Sequence, residues 1–236
     1  MNKELTELPA SFRVIGVGNG VAEIIDKVKS CGFYGLSAEL VKSPTEITPS
    51  EVDKLAIIVF IDCEDTANLI AKSFRQAGVL TLGLSEDADP SCFDSIMEGV
   101  NPSEYPDVIK SLLQPIIKPC YVSFDFHDLC TVLRDSGYFL IKRVIGESIT
   151  DVVEKMQEKL KDVDLDEIEN ITFNILLNRD RKLPIEMKEM SAFSDMLVTL
   201  PDTVNVIWAV HFDEELNDNQ IGLISIMSGK DLDNVQ

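Results

Sequence analysis

Lys118-Pro119-Cys120-Tyr121-Val122-Ser123-Phe124-Asp125-Phe126-His127-Asp128-Leu129-Cys130-Thr131-Val132 is the stretch on which the fold of this chain turns. Upstream, Pro102, Pro106, Pro115 and Pro119 crowd around a helix expected over Tyr105–Ile117, with Pro115 bending or ending it. A domain boundary is placed here. Residues 1–118, including the linking helix near 105–117, form one expected domain, and 119–236 the other. Downstream, Asp125 stands where a helix over Phe126–Ser136 takes its N-cap, an ordinary use of Asp.

Beyond that helix the pattern is α+β. A strand is expected over Tyr138–Ile145. A helix over Ile149–Lys161 places Val152, Val153, Met156 and Leu160 on one face. Ile171, Phe173, Ile175 and Leu177 alternate with Thr172, Asn174 and Leu176, a strand pattern that only Leu176 breaks. A helix over Ile185–Leu197 turns Met187, Met190, Phe193 and Leu197 inward, and strands over Val204–Val210 and Ile221–Met227 follow. Trp208 alternates with Val206 and Val210 and is expected in the core. The result is a four-stranded domain.

The first half reads differently. Phe12–Val17 runs as a strand into the glycines Gly16, Gly18 and Gly20, and a helix follows over Val21–Ser30. Leu55–Ile61 is continuously apolar, as a strand covered on both faces requires. A helix over Thr66–Ala77, stopped by Gly78, leads to a strand over Val79–Leu84. This alternation implies a small parallel α/β sheet. Asp89–Gly99 reads as a further helix.

Composition limits the function. The chain has 236 residues, 45% of them apolar, enough for one large core or two small ones. Its formal charge is −20, which repels nucleic acid and anionic lipid. The same acidity also serves solubility alone. No apolar run reaches the ~20 residues of a membrane span, and Met1–Arg13 lacks the apolar core of a signal segment, so a cytoplasmic location is expected. Five cysteines show no C-x-x-C spacing and read as free thiols, with no metal site expected. His127 and His211 lack catalytic or metal-binding neighbours in the sequence.

The opening stretch resembles a loop of the tubulin/FtsZ family that reads roughly R-P-G-L-I-N-V-D-F-A-D-V-x-T-V. The likeness continues in order through the second half. Gly146-Glu147 matches the end of a G-I-G-E motif, and Ile171–Asn178 lies where the family has V-L-L-N-I-T-G-G. Val204–Leu216 is similar to A-N-I-I-F-G-A-V-I-D-E-S-L, and Ile221–Gly229 to a strand ending in A-T-G. The resemblance implies a reduced nucleotide-domain-like α/β half and an FtsZ-like α+β half. It implies that Asp125 and Asp128 correspond to acidic residues presented to the nucleotide of the next filament subunit, where they help polarise the attacking water. Ser123 replaces the family's asparagine. The capping reading of Asp125 stands beside this one.

In the first half, Gly16-Val17-Gly18-Asn19-Gly20 resembles the family's first phosphate loop, so Gly16, Gly18, Asn19 and Gly20 are the candidate phosphate-binding residues. Such a turn also lets a helix pack closely on a sheet. The family's G-G-G-T-G-T-G signature is replaced by Asp62-Cys63-Glu64-Asp65-Thr66. Met1–Pro115 is also short for the family's nucleotide domain. No cofactor is therefore expected, although GTP or GDP is what the resemblance offers. Asp62, Glu64, Asp65, Glu86, Asp87 and Asp89 fall at a sheet's carboxyl edge, where a hard cation or plain solvation suits them. The leading expectation is a divergent FtsZ-like protein without its own GTPase site. It acts by protein association, either with itself or by capping FtsZ-type filaments. An active filament-forming GTPase of cell division and a metal-dependent α/β enzyme are the alternatives.

Overall fold

The computed structural model describes residues 11–33, 35–86, 88–181, 185, 187–230 and 232. Most of the Met1–Arg13 segment and Asp87 lie outside them. The chain divides into two compact units, 1–106 and 107–236, so the helix over Tyr105–Ile117 counts almost wholly with the second.

In the first unit, β1 (Ser11–Val17), β2 (Leu36–Val41), β3 (Asp53–Phe60), β4 (Leu80–Leu84) and β5 (Ser95–Met97) lie in the order β2-β1-β3-β4-β5, every pair parallel. Six consecutive residues of β3, Leu55–Phe60, are buried. The two helices are α1 (Ala22–Ser30) and α2 (Glu64–Gln76). Ala67, Ile70, Ala71 and Phe74 form the buried stripe of α2. Gly78, at φ 82°, follows its end in the left-handed region open to glycine. At the amino ends of the strands Arg13 joins three of them, bonding Glu39 at 2.6 Å and Asp53 at 3.0 Å.

Two expectations change here. Asp89–Gly99 is not a helix. Asp89 caps a single turn at Pro90–Cys92, and Ser95–Met97 then pairs with Leu82–Leu84 as β5. The apolar pair Ile96-Met97 is buried against a neighbouring strand, a tertiary demand invisible in a short apolar run. The sequence reading also passed over β2, whose Ser37 and Glu39 dilute the apolar pattern of a sheet-edge strand.

The second unit holds α3 (Tyr105–Ile117), β6 (Cys120–Val122), α4 (Phe126–Leu133), β7 (Gly137–Gly146), α5 (Ile149–Leu160), β8 (Asn170–Leu177), α6 (Met187–Val198), β9 (Asn205–Phe212) and β10 (Ile221–Gly229). Its strands lie in the order β7-β10-β8-β9-β6. β8 and β9 are parallel and the other pairs antiparallel. The last strand in sequence, β10, is thus the filling between β7 and β8, and all nine of its residues are buried. Ile171, Phe173 and Ile175 face the core that Val152, Met156, Phe193 and Met196 close from the helices. The short β6 adds a fifth strand to the expected four. Helix α4 stops at Leu133, before the expected Ser136, because Asp135 and Gly137 take positive φ of 54° and 83°.

Candidate functional site

The order β2-β1-β3 means that the chain leaves β1 in one direction and later returns on its other side at β3. The carboxyl ends of β1 and β3 therefore flank a topological switch point, the usual ligand crevice of a parallel α/β sheet. A cavity of about 550 Å³ opens there, lined by Phe60, Asp62, Cys63, Glu64, Asp65 and Thr66. The fold has brought the glycine turn after β1 beside it. Gly18 has φ 82°, and a Cβ on it would lie 2.6 Å from Cys63 Sγ. Its N–H is already spent on the Val41 carbonyl at 3.0 Å. A Cβ on Gly16 would meet Ile25 Cγ1 at 2.4 Å, so this glycine lets α1 settle onto β1. Asn19, Gly20 and Val21 form a single tight turn that leads straight into α1.

Among the described residues the lining carries three carboxylates and no cation. Asp62 has φ 55°, the left-handed conformation for which glycine is the natural residue. Cys63 occupies the N-cap of α2 and makes no side-chain cap bond, while Glu64 and Asp65 lie in the first turn. The positive end of that helix dipole is thus met by the chain's own carboxylates. Asp89, read as a partner in this cluster, is spent locally. Its carboxyl is held below the usual range by hydrogen bonds from the Ser91 hydroxyl, Cys92 and the Ser91 N–H. Glu86 follows β4, and burial together with that carboxylate pushes the Tyr105 phenol up to about 12. Among the described residues no three His, Cys, Asp or Glu side chains form a group able to hold a metal.

In the second unit Asp125 and Asp128 come together as a reciprocal cap. Asp125 Oδ1 accepts from His127 N at 2.7 Å and from Asp128 N at 3.2 Å, and Asp128 Oδ2 accepts from Asp125 N at 2.9 Å. This closes the first turn of α4 from both sides. Only one oxygen of each carboxylate is used, so capping and a surface role for the other oxygen are compatible. Asp125 is exposed and Asp128 half-buried. His127 is exposed beside them.

His211 is fully buried. Its Nε2 lies 3.0 Å from Asn174 Oδ1, whose amide donates to Thr172 Oγ1 at 3.0 Å. Burial pushes the imidazole down to about 4. Thr172, Asn174 and His211 fall on one sheet face by register, a polar seam that the alternation of β8 already spelled out in sequence.

Trp208 is not the core residue expected. It is 40% exposed, with its ring edge-on to Phe193 at a centroid distance of 6.0 Å. The face was read correctly, since Val210 on the same side is buried. Helix α6 covers only part of that face at β9, and alternation cannot reveal how far a helix reaches. The uncovered part is an apolar groove, which the sequence reading did not find. Arg179 and Arg181, the basic pair beside the end of β8, were its only sequence signal.

No family model matches the chain, and no curated protein matches it. Solved structures do. FtsZ of M. jannaschii, as an empty dimer, superposes with a TM-score of 0.72 over 96% of this chain and 90% of that chain, at 15% identity. TubZ of Bacillus thuringiensis serovar israelensis, as GDP-form protofilaments, gives 0.63 over 94% and 86%, at 11% identity. A helical model of the TubZ-Bt four-stranded filament gives 0.64 over 94% and 87%, at 10% identity. The chain has the fold of the tubulin/FtsZ family. Among the described residues no helix is long and apolar enough to cross a membrane.

Proposed function

We propose that this is a divergent FtsZ-like protein that works by protein association, without a GTPase site of its own. The observation that supports this reading is the lining of the switch-point cavity: Asp62, Glu64 and Asp65, with no cation among the described residues that line it. A guanosine triphosphate brings several negative charges to that place. Like unit charges ~4 Å apart repel by about 4 kcal/mol at an effective dielectric of 20. The N-terminus of α2, which elsewhere receives phosphate, has its dipole met by Glu64 and Asp65. These residues do not fit a nucleotide phosphate chain. The solved relatives of this fold are a dimer and filaments, which favours association as the mode of action. On this reading the face bearing Asp125 and Asp128 meets an FtsZ-type filament end or another copy, in a cytoplasmic setting. The switch-point crevice of the first unit offers no nucleotide for extension on this reading, so the subunit caps.

The alternative of an active GTPase draws on one specific observation. The cavity is large enough for a small ligand, and the turn at Gly18–Val21 leads straight into a helix beside it. Titration calorimetry with GTP, with and without Mg²⁺, separates the two. The proposal expects no saturable heat at micromolar concentration, and a micromolar isotherm overturns it. Capping is read separately, by sedimenting polymers of an FtsZ with equimolar protein added. Unchanged polymer mass and length refute capping.

A further inference from the structure

The turn after β1 holds a pair of residues that occurs nowhere else in the chain. Asn19-Gly20 is the only asparagine followed by glycine in the sequence. The side-chain carbon Cγ of an asparagine is an electrophile, and the nitrogen of the next residue is the nucleophile within reach. Glycine hinders their approach least, because it has no Cβ and allows the widest backbone rotation. The exposed Asn205 and Asn219 are followed instead by Val206 and Gln220.

The fold leaves both reacting groups free. Asn19 and Gly20 are exposed. Among the described residues neither the Asn19 carboxamide nor the Gly20 N–H has a hydrogen-bond partner. The turn is tied down on either side of them. Gly18 N donates to the Val41 carbonyl at 3.0 Å, and the Ala22 N–H donates to the Asn19 carbonyl. A short exposed turn of this kind opens at little cost. Its place in the fold matters too. A Cβ on Gly20 would lie 3.6 Å from Ile61 Cβ, so the turn sits beside the end of β3, where the crevice lined by Asp62, Glu64 and Asp65 begins.

We propose that Asn19 is a site of spontaneous deamidation in the folded protein. The Gly20 nitrogen gives its proton to solvent and attacks Asn19 Cγ. A C–N bond forms and closes a cyclic imide, the Cγ–Nδ2 bond breaks, and Nδ2 leaves as ammonia. Water then opens the imide at one of its two carbonyls. One opening gives aspartate, and the other gives isoaspartate, whose main chain runs through Cβ. Nothing is oxidised or reduced. Either product replaces a neutral amide with a carboxylate, ionised at neutral pH, beside a crevice that is already acidic. This chemistry proceeds whether or not the crevice takes a nucleotide.

The test ages the whole chain at physiological temperature in mildly alkaline buffer, beside a synthetic peptide of residues 16–23. Both are sampled over time, and mass spectrometry with electron-transfer fragmentation distinguishes asparagine, aspartate and isoaspartate at each position. Asn19 in the folded chain is expected to convert within about tenfold of the peptide's rate, as the low cost of opening the turn requires. Asn205 and Asn219 should react at least about tenfold more slowly than Asn19. Gly20→Ala should slow the reaction at Asn19 by about tenfold or more. Its added Cβ meets Ile61 Cβ at an ordinary contact distance, so the thermal melt should be unchanged. An intact Asn19 in the folded chain when the peptide is fully converted overturns the proposal. So does equal conversion at Asn205 and Asn219, or an unaltered rate in Gly20→Ala. If that variant melts early, Asn19 of the unaltered chain against the peptide and the other two asparagines decides alone.

Discussion

Asp125 offers a clean separation of two roles, because asparagine keeps one and discards the other. Its Oδ1 accepts two backbone N–H groups in the first turn of α4, and Asp128 returns one bond to the Asp125 N–H. Removing an N-cap side chain of this kind costs about 1 kcal/mol, within a range of roughly 0.5–2. Asp125 is exposed, so water replaces part of what is lost and the lower half of that range applies to Asp125→Ala. Asp125→Ala should therefore destabilise by about 1 kcal/mol. Asp125→Asn should cost about 0.5 kcal/mol or less, since Asn caps about as well as Asp and only the charge at the helix dipole is lost. With a urea slope of about 2 kcal/mol/M, the alanine variant moves the midpoint down by about 0.5 M and the asparagine variant by half of that or less. The same variants are then assayed for their effect on FtsZ sedimentation. If contact with a filament depends on the acidic charge, Asp125→Asn loses that effect while keeping its fold. Equal urea midpoints for Asp125→Ala and the unaltered protein refute the capping argument. Equal sedimentation for all three removes Asp125 from the proposed contact.

Other expectations follow from single features. Trp208→Ala should cost about 1–2 kcal/mol in chemical denaturation, below the 3–5 of a fully buried aromatic, because the ring is 40% exposed. A loss as large as the buried case contradicts the open groove. His211 is neutral in the fold down to about pH 4 but takes a proton near 6.5 when unfolded, so its contribution is intact above pH 6.5 and declines as pH falls to 4. That decline is on the order of 3 kcal/mol, and the difference between wild type and His211→Leu across this window isolates it. A flat difference means the imidazole is accessible to protons. Asp62→Gly should raise stability by up to about 1 kcal/mol, against the usual penalty for glycine, because it relieves a positive φ of 55°. A lowered melting temperature shows that the Asp62 side chain holds the loop.

The elements legible in sequence were those whose pattern is local. The unbroken apolar run of β3, the stripe of α2 and the alternation of β8 each carry their own burial within a single segment. Asp125 at the head of α4 was legible for the same reason, since a cap is a contact between near neighbours. What escaped depended on distant parts of the chain. β5 is a strand because β4 lies beside it, and Trp208 is half in water because α6 covers only part of that face. The cavity at the switch point could be placed in advance from the strand rhythm. The Cys63 thiol against Gly18 could not be, because it needs the closeness of two loops 45 positions apart in the sequence.

The place of β10 has a consequence for how the protein is made. Synthesis runs from the amino end, so β7 and β8 emerge first and face each other across a gap that only residues 221–229 can fill. Until then the nascent second unit presents two unsatisfied strand edges, the kind of surface that invites pairing with other chains. The sheet of this unit therefore closes only after residues 221–229 have been made. A stop codon shortly before Ile221 should leave an aggregating product, since the missing piece is the middle of the sheet.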